Sequence, residues 1–218
     1  MPSWPIHLAL AHKINKKLNL GDNFIFGSIM PDIPNGFEIE NPIIKTDKNT
    51  NHFQEIHKKM LTININNFLN KYKNKCQNPL IKGYLAHLMA DNFFNKYTYE
   101  NHYFFEGKIC RAILKDGRIL KNSHLKPWQI KQRDFKIFDN YLIKNKLLPN
   151  INKSNNYNII KECPIDDIDI IKAIKRINGF KNSVSDYDKN KYQMFTEEEL
   201  LNLYNNCYKE ILEKLKRL

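Results

Sequence analysis

The stretch Gly83-Tyr84-Leu85-Ala86-His87-Leu88-Met89-Ala90-Asp91-Asn92-Phe93-Phe94 decides how this chain is read. Its run of helix formers predicts a helix, with His87 and Asp91 four residues apart. On a helix that spacing puts an imidazole and a carboxylate on one face, about one turn from each other. Both stand among Leu85, Leu88, Met89, Ala90, Phe93 and Phe94. A carboxylate in such surroundings needs a partner, because burying a bare charge is costly. A metal ion, an Arg or Lys, or water at a helix rim would serve. An isolated H-x-x-x-D pair is a weak signal, so the case depends on what lies around it.

Upstream, Pro5 suits a first helical position, and Ile6, Leu10, Ile14 and Leu18 repeat at helical spacing over residues 5–18. His7 falls on an adjoining inward stripe. Phe24-Ile25-Phe26-Gly27-Ser28-Ile29-Met30 predicts another short helix, broken by Pro31-Asp32-Ile33-Pro34-Asn35-Gly36. Asp32 sits at that break, either pointing back into the core or acting as a turn former. Residues 37–50 read as a loop. Asn51-His52-Phe53 then opens a helix expected to run to about residue 73, with His52 in its first turn and His57 on another, exposed side.

Pro79 starts the long central helix, expected over residues 79–105. Beyond it, His102 and Glu106 make a second four-residue pair. An unbroken helix would carry them about 16 Å from His87 and Asp91, too far for one ion. They read as a surface pair, a separate site, or an addition to the first site that needs a break in the helix. Residues 108–122 look like a connection, 125–147 a helix, 148–163 a loop, and 164–178 a helix with Ile165, Ile168, Ile171 and Ile174 on one stripe. After a polar loop over 181–194, Thr196-Glu197-Glu198-Glu199 is a capping box that opens a last helix to Leu218. With no alternating strand pattern and no repeat, the expectation is a single all-α domain over residues 1–218. It would be a helical bundle with metal ligands on its central helices.

The bulk properties agree. In 218 residues, 42% are hydrophobic and 12% aromatic, enough for one globular core. The formal net charge is +12, which favours anionic partners such as phosphates, nucleic acid or an anionic membrane surface, unless the lysines simply solvate helix faces. No nucleic-acid-binding motif appears. Cys76, Cys110, Cys163 and Cys207 form no CxxC pair, and read as free thiols of a reducing compartment. No signal-peptide pattern and no apolar run long enough to span a bilayer is present, so a cytoplasmic protein is expected.

Four places thus offer inward-facing ligands: His7, Asp32, His52 and the pair His87/Asp91. Each alone is more often structural. Together, three imidazoles and two carboxylates suit zinc, manganese or ferrous iron, and the absence of Cys fits a catalytic rather than a structural site. The order of these pieces resembles the zinc-dependent phospholipase C family. The carriers are Pro-x-His before the first helix, Phe-x-x-Gly-Ser-Ile-Met-Pro-Asp, Thr-Asn-His-Phe, and Gly-Tyr-Leu-Ala-His-Leu-Met-Ala-Asp-Asn. The resemblance covers roughly residues 1–105. It implies an all-helical fold with one or two zinc ions at the bundle centre. Asp32, His52, His87 and Asp91 would surround one ion, and Asp91 would bridge to a second that also takes His7. A third ion in that family takes two His and a Glu, for which only His102 and Glu106 are at hand.

The expected function is hydrolysis of a phosphoester by metal-activated water, with Asp32 orienting that water or accepting its proton. Phospholipids are among the candidate substrates. Two rivals stand beside it. One is an HD-like phosphohydrolase acting on nucleotides, whose adjacent His-Asp dipeptide this chain lacks. The other is a non-catalytic helical protein binding an anionic surface or a partner.

Overall fold

The structure, a computed structural model, describes residues 2–36, 38–57, 60–121, 126–151, 159–180, 182–183 and 187–218, and the backbone alone of His57. The exposed setting expected for His57 therefore lies outside the described residues, as do parts of the loops expected over 148–163 and 181–194.

Among the described residues are eight α-helices: α1 (Trp4–Leu18), α2 (Asp22–Gly27), α3 (Lys48–Asn51), α4 (Ile65–Lys71), α5 (Pro79–Asn101), α6 (Pro127–Lys144), α7 (Asp167–Phe180) and α8 (Glu197–Lys216). A six-residue 3-10 helix, Met30–Asn35, follows α2. The fold is mostly helical, but the expectation of a purely all-α chain is corrected. Strands β1 (Gln54–His57) and β2 (Met60–Ile63) pair antiparallel, and β3 (Tyr103–Glu106), β4 (Ile109–Ile113) and β5 (Ile119–Leu120) form a second antiparallel sheet in the order β3-β4-β5.

Each correction has a local cause. The helix expected over 51–73 is cut after His52, because Phe53 takes a left-handed backbone (φ 52) that turns the chain out of the helix. The central helix stops at Asn101 rather than 105. His102 caps it, and the β-prone run Tyr103-Phe104-Phe105 pairs with Ile109-Cys110-Arg111-Ala112 instead. Gly107 at φ 61 supplies the tight turn between them, and Gly117 at φ 82 does the same after Asp116. The expected connection over 108–122 therefore carries the strands β4 and β5. The penultimate helix begins at Asp167, three residues later than the Pro164 start expected.

Helix α5 is the axis of the molecule, packed by α1, α2, α4 and α8 and by β2 and β3. From Leu80 to Asp91 it is buried on every side. The closest approach is at α2: a Cβ added to Gly83 would collide with the carbonyl oxygen of Phe24, and one on Gly27 with that of Leu80. Only hydrogens fit between these two backbones. Elsewhere, buried carboxylates tie segments together. Asp134 of α6 accepts the backbone N–H of Gln193, Met194 and Phe195 at 2.7–3.2 Å. The capping box at Thr196 and Glu199 forms as read from the sequence. Asp139 of α6 accepts the hydroxyl of Ser3, the residue that precedes α1, and burial pushes its carboxyl up to about 8.

Two stability outcomes follow. Gly83→Ala should lose about 1–3 kcal/mol in chemical denaturation, because the obstacle is backbone and cannot rotate away. Gly179→Ala, in exposed helix with nothing within 4 Å, should gain about 0.5–1 kcal/mol. For Asp139, the folded state holds its proton more tightly than the unfolded chain, so its contribution to stability declines as pH rises from about 4 to 8. Asp139→Asn, which keeps an acceptor for Ser3, should match wild type near pH 4 and exceed it by about 1 kcal/mol or more at pH 8. Equal curves at both pH values would show that the carboxyl is not held protonated.

Candidate metal centre

Four elements bring the centre together. His7 lies in the buried first turn of α1, Asp32 in the 3-10 helix, His52 immediately after α3, and His87 and Asp91 one turn apart on α5. All five side chains are buried, with His52, His87 and Asp91 at 0% exposure and Asp32, at 7%, the most accessible. The structure thus places all five in the bundle interior, including Asp32, which the sequence left open between the core and a turn.

The outer hydrogen bonds orient the rings. His87 Nδ1 donates to the carbonyl of Ser28 at 2.8 Å, an acceptor that follows directly from the Gly27–Gly83 contact. His52 Nδ1 donates to Asn51 Oδ1 at 2.6 Å. The Asn51 amide is fixed in that sense because its Nδ2 donates to the carbonyl of Pro31 at 2.9 Å. Tyr84 of α5 donates its hydroxyl to the Asn51 carbonyl, which holds the α3 turn against α5. With both Nδ1 atoms so engaged, both Nε2 atoms face inward, and these are the nitrogens that would bind a metal once free of a proton.

The inward atoms crowd one point. His52 Nε2 is 3.2 Å from His87 Nε2, 3.3 Å from Asp32 Oδ1 and 3.7 Å from Asp91 Oδ2. His87 Nε2 is 3.4 Å from Asp91 Oδ2, and His7 Nε2 is 3.3 Å from Asp91 Oδ1. His7 stacks on His87 with ring centroids 4.0 Å apart. Ligand atoms about 2.0–2.1 Å from one tetrahedral zinc stand about 3.3 Å from each other, which is the spacing found here. Moreover, His7 Nε2 and both Asp91 oxygens are buried with no hydrogen-bond partner among the described residues. Unpaired buried acceptors of this kind cost free energy, and a divalent cation would satisfy them. Two overlapping groups can be drawn, Asp32–His52–His87 and His7–His87–Asp91, with Asp91 also in reach of His52. The donor set thus fits a hard or borderline divalent ion.

The electrostatics point the same way. Burial would raise Asp91, but the charge of His87 and the nearness of His7, their ring nitrogens 3.4 and 3.3 Å from its oxygens, hold it well below the usual carboxylate range. Burial would raise Asp32 too, and His52, His87 and Lys48 outweigh it, so Asp32 is also ionised. Burial lowers His7 to about 4, with the charge of His87 adding to the effect, and burial likewise lowers His52. His87 alone is raised, because Asp91 and Asp32 outweigh its burial. Protonation of His87 thus offsets part of the charge of two buried carboxylates, a role a dication would fill more fully.

The pair His102/Glu106 is a correction. His102 caps α5 and meets Glu199 Oε1 at 2.6 Å, while Glu106, an exposed residue four positions along β3, pairs with Arg111. The two do not share a site. Glu199 also accepts from Tyr97 at 2.7 Å, so His102 joins the end of α5 to the start of α8.

Over the centre opens a cavity of ≈ 380 Å³, reached by Asp32 and walled by Trp4, Leu61 and Trp128 together with Lys48 and Lys131. Leu61, Trp128 and Lys131 also line an adjoining cavity of ≈ 510 Å³ with Tyr99, Tyr103 and Phe105. Lys131 carries no motif and is one of 35 Lys and Arg residues, so no local pattern marks it. The quoted motifs contain Ser28 and Asn51 but do not mark them as ring-orienting acceptors.

No family model, curated protein or solved structure matches this chain.

Zinc at about 100 times its dissociation constant should stabilise the protein by about 2.7 kcal/mol, read as a rise in Tm that a chelator reverses. The affinity should fall as pH drops, because His87 must give up its proton to bind. Asp91→Asn should abolish the rise. No shift with zinc, manganese or ferrous iron would mean the centre holds no such ion.

Proposed function

We propose that this protein is a metal-dependent phosphoester hydrolase, a phosphodiesterase of the zinc-dependent phospholipase C type. The observation that carries the reading is the convergence of three imidazoles and two carboxylates, with orphaned inward atoms, beneath a cavity that also presents lysines. Zinc is the ion of choice, at one or two per chain, and manganese or ferrous iron would suit the same donors. When bound, such an ion acidifies water and offsets charge on phosphoryl oxygens.

The chain's own residues supply the rest. His7, His52, His87 and Asp91 hold the ion, with Ser28 and Asn51 fixing two of the rings. Asp32 is the member of the set that reaches the cavity, so its carboxylate accepts a hydrogen bond from water at the cavity floor and aims it at phosphorus. Because Asp32 is held well below the usual range, it is a weak base and serves better to orient than to store a proton. Trp4, Leu61 and Trp128 give the cavity an apolar wall beside it. Water's oxygen adds to phosphorus as the ester bond breaks, and its proton leaves with the alcohol. The aromatic wall of the adjoining cavity favours an ester with an apolar arm, phospholipids included.

A second reading rests on the net charge of +12 and on Ile56, 80% exposed beside Leu61 at the cavity rim: a non-catalytic protein seated on an anionic surface. Among the described residues no helix is long and apolar enough to cross a membrane.

Purified protein, loaded with zinc, should hydrolyse bis(p-nitrophenyl) phosphate. Asp32→Asn should retain most of its zinc and lose about 100-fold or more in kcat, while Asp91→Ala should lose both zinc and activity. Zinc uptake without hydrolysis, together with salt-sensitive binding to anionic vesicles, would favour the second reading.

A further inference from the structure

Lys131 is buried within α6, only 6% exposed, yet it lines both cavities where they meet. Its ammonium donates to Asn95 Oδ1 at a long 3.4 Å and stands 5.8 Å from the centroid of Phe135. Among the described residues, no carboxylate forms an ion pair with it. Lys172, Lys71 and Lys216 each have one. A buried ammonium without a counter-ion is expensive to keep, and a structure that retains one facing a cavity leaves room for an anion to arrive from outside. The other charged groups on that cavity are matched: Lys48 stands 4.0 Å from Asp32 Oδ1 and Glu38 pairs with Arg176, which leaves Lys131 as the cation facing it without a paired carboxylate among the described residues.

We propose that Lys131 is the substrate-anchoring residue of this centre, holding a non-bridging oxygen of an anionic phosphoester whose apolar arm runs into the aromatic cavity. This rests on the phosphoester reading above, and it adds a charge requirement. The preferred substrates are phosphodiesters or monoesters that keep a negative charge, and neutral phosphotriesters are disfavoured. An ammonium is a point charge with three donors, so it grips a phosphoryl oxygen without imposing a bidentate geometry. Lys131 lies outside the ligand set, so its removal leaves ion binding intact.

The test uses the full chain and inorganic phosphate as probe, by calorimetry and by Tm, with zinc content measured in parallel. Lys131→Met should bind zinc as wild type does, melt no lower, and bind phosphate at least 10-fold more weakly. Lys131→Arg should keep phosphate affinity within about 3-fold, because the charge is retained. With bis(p-nitrophenyl) phosphate, Lys131→Met should raise KM more than it lowers kcat, and should narrow the preference over a neutral triester by a similar factor. Unchanged phosphate affinity in Lys131→Met, or no phosphate binding by wild type, would overturn the anchor. A wild type that takes up no zinc while Lys131→Met still loses phosphate would sink the hydrolase reading and leave the anchor standing.

Discussion

The backbone contact between Gly27 and Gly83 is the constraint from which the centre follows. Two helices approach until a single methyl group would not fit between them. That approach brings the end of α2 over α5, and the carbonyl of Ser28, next after Gly27, lands on His87 Nδ1 one turn after Gly83. The outer nitrogen of His87 thereby keeps its hydrogen, and the inner one is the nitrogen that can give up a proton to an ion. Packing at a pair of glycines has set which nitrogen faces inward, and that nitrogen sets what the ring can bind.

The interior charges are then organised around a deficit. Two carboxylates and three imidazoles share a buried space that Asp32 alone of the five opens to the cavity, and Asp91 has no hydrogen bond among the described residues. A hydrophobic core would be cheaper to fold. Such a cluster holds together because the scaffold over-determines it: Tyr84 grips Asn51, Asn51 grips His52 and the Pro31 carbonyl, and Asn35 contacts Asp32 at 3.3 Å. Lys131 is the counterpart on the cavity side, a buried ammonium without a directly paired carboxylate among the described residues.

Much of this was legible in the chain. The buried stretch of α5, the inward His7 and the capping box at Thr196 came from spacing and residue type, since 3.6-residue periodicity and N-terminal capping are local rules. The two small sheets were missed because each strand is only two to five residues long and hairpin formation competes with helix within one turn. The cues were Glu106-Gly107-Lys108 between aromatic and β-branched runs, and Asp116-Gly117 after another. Pairing His102 with Glu106 failed for the same reason. Once β3 departs from the helix axis, four residues no longer make one turn, and the partner of His102 comes from α8, 97 residues away.

By itself, then, the sequence determined which residues could be ligands and that most of them lie on buried helical faces. Side-chain type and local periodicity suffice for that. Only the tertiary structure decided that the four separate segments converge to 3.2–3.7 Å, which ring nitrogen each of His52 and His87 turns inward, and that Lys131 stands over the result. Those facts depend on how far apart helices pack and on which carbonyl lies outside each ring. Such distances are set by contacts between residues remote in the chain, and no local pattern encodes them.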